Sequence, residues 1–242
     1  MSFEKAILNI EDLTSGYNER PILIDLNLSL VAGETCCVIG EEGSGKSTLL
    51  KVITQQLKSF GKINYKDLNL QAVSPSEMTR QNIDFIAQGG NILPDFTVEE
   101  HICLALSEKI HTERSIYWQE VKSTFPTVVA MRKQIAGRLS GGERMLLSLA
   151  CLMATDADVW ILDEPTAGLS PEACRVIKTF LTRMKNEKRK TILLLEHNYE
   201  FAFEIADSVV TLKEGVLSRK YLPNEFRKID FVDTELYGPV KI

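Results

Sequence analysis

The hydrophobic pattern of this chain changes period three times. From Ala6 to Leu13 and from Ile22 to Val31, apolar residues tend to recur at every second position, the rhythm of a strand with one buried face. In the second run Ile22, Ile24, Leu26, Leu28 and Leu30 are predicted to share that face. Ser15-Gly16-Tyr17-Asn18, between the runs, has the composition of a turn. Thr35 to Ile39 is short and continuously apolar, as a strand buried on both faces should be. It leads through a glycine-rich stretch into a predicted helix from Lys46 to Leu57, and Ile83 to Ile86 reads as another strand.

From about Thr97 to Met153 the pattern turns helical. Thr97-Val98-Glu99-Glu100 has the form of a capping box, with Thr97 as N-cap and Glu100 three positions on. Gly142 to Ala154 is apolar on nearly every face (Met145, Leu146, Leu147, Leu149, Ala150, Leu152, Met153), which predicts a buried helix. Strands and helices then alternate: Val159 to Leu162, Pro171 to Lys185, Thr191 to Leu195, Tyr199 to Ala206. Ser170-Pro171 supplies an N-cap and a proline at the first helical position. The alternation argues an α/β fold with a mainly parallel, doubly wound sheet. The expected organisation is one domain with an N-terminal antiparallel β section. Residues 1–88 and 155–220 form its core lobe, about 89–154 an inserted helical subdomain, and 221–242 a C-terminal tail.

Composition narrows the functional classes. The chain has 242 residues, 44% hydrophobic and 25% charged, which is ordinary for a globular protein with a full core. A net charge of −5 argues against a nucleic-acid partner. The basic run Arg183, Lys185, Lys188, Arg189, Lys190 falls at the end of a helical pattern, where cations suit the dipole and a solvated helix end is expected. The five cysteines lack metal-ligand spacing, and Cys36 and Cys37 sit in an apolar strand, so a reduced, cytosolic protein is predicted. Met1-Ser2-Phe3-Glu4-Lys5 does not read as a signal peptide, and no apolar run approaches the ~20 residues that span a bilayer.

The chemistry is concentrated in a few motifs. Gly40-Glu41-Glu42-Gly43-Ser44-Gly45-Lys46-Ser47-Thr48 fits the phosphate-binding loop G-x-x-x-x-G-K-[ST]. Its glycines let backbone N–H groups curl around phosphate oxygens, Lys46 reaches the terminal phosphates, and Ser47 offers a hydroxyl to Mg²⁺. Alone, the loop says only that a nucleoside triphosphate is bound. Asp158-Val159-Trp160-Ile161-Leu162-Asp163-Glu164 is an apolar strand ending in two carboxylates. Such a strand often just enters a polar turn. At the carboxyl edge of a parallel sheet beside a phosphate loop, however, Asp163 is placed to hold Mg²⁺ and Glu164 to polarise an attacking water. Leu139-Ser140-Gly141-Gly142-Glu143 reads as a helix start, and Ser140 with the N–H groups of Gly141 and Gly142 also has the makings of an anion site.

In this order the motifs resemble those of the ATP-binding cassette (ABC) ATPases, over roughly residues 6 to 217. Pro165-Thr166-Ala167-Gly168-Leu169 continues the pattern. The resemblance implies further roles. Gln88 matches the glutamine that contacts Mg²⁺ and the attacking water, and His197 the histidine that contacts the γ-phosphate. Tyr17 matches the aromatic that stacks on adenine. It implies ATP and Mg²⁺ as cofactors, with Ser140, Gly141 and Gly142 closing over the ATP of a second cassette chain, identical or paralogous, in a head-to-tail dimer. A separate membrane permease, and in an importer a solute-binding protein, would complete the assembly on the cytoplasmic face of the cell membrane.

Phe125-Pro126, Ala136-Gly137-Arg138, Glu196-His197-Asn198 and Glu235-Leu236-Tyr237-Gly238 are similar to the ATPase subunits of branched-chain amino-acid and urea importers. Exporter ATPases share much of this, and a soluble relative that drives protein-complex assembly, such as iron–sulfur cluster machinery, uses the same nucleotide chemistry. No Asn-Lys-x-Asp guanine motif and no G-x-G-x-x-G dinucleotide loop is present. Three departures stand out: Glu41-Glu42 within the phosphate loop, Arg144-Met145 directly after Leu139-Ser140-Gly141-Gly142-Glu143, and Ser170 where aspartate is frequent. If the Glu42 carboxylate points outward, the electrostatic penalty on bound phosphate is modest; if inward, ATP affinity suffers.

Overall fold

The computed structural model describes residues 5–18, 20–74, 77, 82–107, 109 and 111–226. The Glu235–Gly238 resemblance and most of the expected tail lie outside them. Two sheets form the frame. β1 (Ala6–Tyr17), β2 (Arg20–Val31), β4 (Ser59–Tyr65) and β5 (Leu68–Asn69) make an antiparallel sheet in the order β2-β1-β4-β5. β3 (Thr35–Ile39), β6 (Ile83–Ile86), β7 (Val159–Asp163), β8 (Thr191–Glu196), β9 (Ser208–Lys213) and β10 (Val216–Leu217) make the second, ordered β10-β9-β3-β8-β7-β6. All its pairings are parallel except β10 on β9.

The continuous apolar runs are explained by what lies on the two faces of this second sheet. Cys36 and Val38, Val159 and Ile161, and Leu193 and Leu195 point into a core shared with the antiparallel sheet and α1 (Lys46–Ile53). Their neighbours Cys37 and Ile39, Trp160 and Leu162, and Ile192 and Leu194 point into a second core shared with the helical segment. Each such side chain contributes about 1.5–3 kcal/mol on burial, so every central strand ties both halves together. The helical segment comprises α2 (Val98–Ala105), α3 (His111–Thr124), α4 (Pro126–Ala130) and α5 (Gly141–Met153). α6 (Pro171–Lys188) and α7 (Tyr199–Ile205) follow β7 and β8, and α8 (Pro223–Phe226) comes last. α6 buries Ile177, Phe180, Leu181 and Met184, spaced i, i+3, i+4, i+7, and ends on Arg189 in the left-handed conformation (φ 51°). The Phe180 ring lies 4.9 Å from that of Phe125 and 5.9 Å from that of Trp160, so one aromatic contact joins helical segment, α6 and sheet.

Several sequence expectations need correction. Ser15, Gly16 and Tyr17 are strand, paired with Leu23, Pro21 and Arg20, because bulges let β1 continue past Leu13. The buried face of β2 is not the simple alternation: Ile24 is 41% exposed and Leu23 is buried. Asp25, at φ 49°, interrupts the pleat between Leu23 and Leu26 and moves the outer residues to the other face. The helix after the phosphate loop ends at Ile53, where Thr54 Oγ1 donates to Leu50 O and Gln55 turns left-handed (φ 58°). The basic run is not merely solvated. Arg183 pairs with Glu120, Lys185 with Asp207, and Lys190 donates to Ala157 O beneath the Trp160 ring. β4, β5, β9 and β10 were not anticipated. Among the described residues no helix is long and apolar enough to cross a membrane.

Candidate functional site

The carboxyl ends of β3, β7 and β8 bring three loops together. β3 delivers the chain at Gly40, which packs so closely that a Cβ there would sit 2.4 Å from Ser44 Oγ and 2.5 Å from Leu212 O. Glycine is therefore required for the turn. Gly45 at φ 112° then opens α1, with Lys46 in its first turn. Lys46 is almost fully buried; its ammonium donates to Gly40 O (2.7 Å) and Glu41 O (2.9 Å) and pairs with Glu164 Oε1 at 3.1 Å. Gln88 Nε2, just after β6, donates to the other Glu164 oxygen at 2.9 Å. His197 Nδ1 stands 3.8 Å from that same oxygen. Three residues distant in sequence thus converge on one carboxylate.

Glu164 is held in an uncommon backbone conformation, φ 48°, which costs of order 1–3 kcal/mol in a non-glycine residue. Its N–H donates to Leu195 O (2.8 Å) and its carbonyl accepts from Ala167 N (3.1 Å), fixing the turn that aims the side chain. Asp163, one residue earlier, is 2% exposed, and its Oδ1 finds no hydrogen-bond partner among the described residues. Burial raises its pKa, opposed by a hydrogen bond from Ser47 and by the Lys46 charge. Ser44 Oγ is likewise buried without a partner. A carboxylate beside a hydroxyl, with spare acceptor capacity and, among the described residues, no cluster of three or more His, Cys, Asp or Glu ligands, fits Mg²⁺, which takes one or two protein oxygens and completes its shell with phosphate and water.

A cleft of about 340 Å³ runs beside these groups, lined by Tyr17, Ile22, Glu42, Gly43, Gly45, Lys46, Ser47, Thr48, Gln88 and Glu164. Tyr17 stands at its rim, 41% exposed, with Lys51 Nζ 3.5 Å from the hydroxyl. Glu42 is exposed, so its carboxylate is open to solvent screening. Glu41, Glu42, Gly43 and Ser44 also border a smaller hollow on the other side of the loop, with Leu212, Lys213 and Glu214. Ser140, Gly141 and Gly142 are not part of the cleft. They open α5, where Ser140 Oγ accepts from Glu143 N and the Glu143 carboxylate accepts from Ser140 N, a complete capping box. Gly141 faces open space.

A family model for ABC transporters matches residues 23–167, more than half of the chain. The chain belongs to the ABC transporter family. As an ABC ATPase and ATP-binding subunit it is similar, at 32% identity over 220 residues, to a probable branched-chain amino acid transport ATP-binding protein, LivF, of Archaeoglobus fulgidus, covering 90% of this chain and 93% of that one. The arginine transport ATP-binding protein ArtM of Bacillus subtilis is 30% identical over 227 residues, covering 91% and 93%. A solved ATP-binding cassette of an ABC transporter superposes with a TM-score of 0.82 at 24% identity, covering 96% of this chain and 98% of the other, and shows the shared fold.

Within this ABC ATPase two further contacts were not foreseen. Ser148, on α5, accepts from Asn91 N and donates to Arg144 O, pinning the loop after Gln88 to that helix. Gly90 (φ 89°) allows that approach, since a Cβ would lie 2.7 Å from Ser148 Oγ. Arg144 donates to Leu139 O, and Ser170 caps α6 by accepting from Ala173 N, as an aspartate there also would. The second is Glu196, which the sequence shows only as the polar end of an apolar strand.

Proposed function

We propose that this chain binds and hydrolyses ATP to power movement of a substrate through a separate permease, with amino-acid-type import as the finer reading. The observation that carries the catalytic part is the convergence of Lys46, Gln88 and His197 on Glu164 beside the cleft. In this reading Lys46 and the loop amides of Gly43 to Thr48 hold the phosphates, and Tyr17 packs against the base. Glu164 orients water for in-line attack and takes its proton, while His197 steadies the γ-phosphate. Ser47 and Asp163, with Gln88, would hold Mg²⁺, which when bound neutralises charge on the transferred phosphoryl group.

The exposed start of α5, remote from this cleft, supports a head-to-tail dimer in which Ser140, Gly141 and Gly142 of one protomer meet the ATP of its partner. The helical segment carries exposed Leu93, Phe96, Leu104 and Ile116. A hollow of about 390 Å³ beside Glu99, Trp118 and Arg132 adds to that face. This is the surface proposed to engage a membrane subunit and hold the chain at the cytoplasmic face. The names of the two relatives favour amino acids as cargo.

The test uses Glu164→Gln. Its kcat should fall ~10²–10⁴-fold with ATP binding retained, and a turnover within threefold of wild type would refute the assignment. The ATP-locked variant, recovered from detergent-solubilised membranes, should carry a multi-span subunit with it. Recovery of soluble partners alone would replace transport with complex assembly.

A further inference from the structure

We infer that Glu196 is a positioning residue that holds the Glu164 turn and the His197 loop in register through one buried carboxylate. The inference rests on the proposed roles of Glu164 and His197. Glu196 is fully buried at the end of β8. Its Oε1 accepts from Thr166 N (3.1 Å) and Thr166 Oγ1 (2.6 Å), two residues beyond Glu164. Its Oε2 accepts from His197 N (3.1 Å) and Asn198 N (3.1 Å). Its own carbonyl accepts from Gly40 N (3.2 Å), the first residue of the phosphate loop. All three loops of the site therefore meet on this residue.

Two half-buried carboxylates of the chain are paired with lysine: Glu34 with Lys220 and Asp158 with Lys66. Glu196 is not. Among the described residues, the basic group within ion-pair reach is His197 Nδ1 at 3.8 Å. The charge is instead carried by four donors, the arrangement that makes a buried carboxylate tolerable and its hydrogen bonds short and directional. A strand end that needed only anchoring would be served by backbone pairing or an apolar side chain. Here both oxygens are spent on the two segments that present the reacting groups.

Glutamine keeps the shape but has one acceptor oxygen. In either amide orientation its NH₂ faces two donors, so one of the two loops loses its tether. Glu196→Gln should lower kcat by ~10- to 100-fold, the cost of misplacing groups about an ångström from their working geometry. The carboxylate does not touch Lys46, so ATP affinity should stay within about threefold.

The experiment measures kcat by phosphate release and ATP affinity by calorimetry for full-length wild type, Glu164→Gln, Glu196→Gln and His197→Ala. The expected result is a tenfold or greater fall in kcat for Glu196→Gln at unchanged ATP affinity. A kcat within threefold of wild type, or a parallel loss of ATP affinity, would overturn the inference. Should Glu196→Gln not fold, Thr166→Val decides: it deletes one of the four bonds without changing shape, and unchanged kcat refutes the role. If wild type hydrolyses ATP and Glu164→Gln abolishes it while Glu196→Gln runs normally, this inference alone fails. If wild type hydrolyses nothing, the underlying reading fails with it.

Discussion

The cleft at the ends of β3, β7 and β8 and the exposed start of α5 both present a helix N-terminus and glycine amides, yet they are built under opposite constraints. The cleft is held at a cost. Glu164 has a left-handed backbone, and Asp163 is buried with an unpartnered oxygen. Ser44 Oγ has no hydrogen-bond partner among the described residues, and Lys46 is nearly inaccessible. At the start of α5, Ser140 and Glu143 satisfy each other in a capping box and Gly141 faces open space. One end stores polar capacity that phosphate and metal can use; the other is locally complete and must be stable whether or not anything covers it. In the proposed head-to-tail dimer, a site divided in this way would become whole when two chains meet.

The most severe test of that division mixes two damaged chains. Lys46→Ala removes the phosphate contact of its own cleft, and Ser140→Arg blocks the start of α5; each alone should lower ATPase activity by roughly a hundredfold or more. In a head-to-tail dimer the mixture contains one intact composite site, made from the cleft of the Ser140→Arg chain and the α5 start of the Lys46→Ala chain. Activity should therefore partly recover on mixing, measured as phosphate release against total protein. No recovery at any ratio would mean that each chain completes its site alone.

A smaller effect separates the two regions by stability. Burial raises the Asp163 pKa, so the native state binds its proton more tightly than the unfolded chain does. Its contribution to stability is therefore lost as pH rises from the ordinary carboxylate range through the raised value, and the full cost is present at pH 7. Asp163→Asn should raise the melting temperature of the nucleotide-free protein at pH 7, with the gain shrinking towards pH ~4. Ser140→Ala should do the reverse, costing about 0.5–2 kcal/mol of capping energy. At this chain length each kcal/mol moves Tm by about 2–4 °C. Thermal melts at the two pH values check both signs, and a destabilised Asp163→Asn at pH 7 would show that hydrogen bonding outweighs burial.

How much of this was legible in the sequence follows from where the determinants lie. The phosphate loop, Asp163-Glu164 and the capping boxes are local: spacing along the chain fixes them, and the apolar runs before them announce buried strands. Failures came where the chain departs from a regular period. Asp25 turns left-handed inside β2 and exchanges Leu23 for Ile24 on the buried face. β4 buries only Ile63 and Tyr65, too few for a recognisable alternation. β9 did carry a signal in Val209-Val210-Thr211-Leu212, which is continuously buried. Glu196 was invisible for another reason. Thr166, which supplies two of its four bonds, lies thirty residues upstream, and a glutamate after three leucines reads as a strand reaching solvent.

The finest discrimination concerns Glu42, the acidic residue within the phosphate loop itself. Its side chain is exposed at the lip of the cleft, where counterions screen it with a Debye length of about 8 Å at physiological ionic strength. The stressed character of the cleft therefore belongs to its buried groups and should not extend to this one. Glu42→Asn is expected to change ATP affinity by less than about threefold at physiological salt, the small change reflecting weak coupling between screened surface charges. Any gain in affinity should grow as salt is lowered and vanish as it is raised. Calorimetric titration of ATP at two ionic strengths measures both. A large, salt-insensitive gain would mean that the carboxylate turns inward against the phosphates, and would add Glu42 to the groups that this cleft holds at a cost.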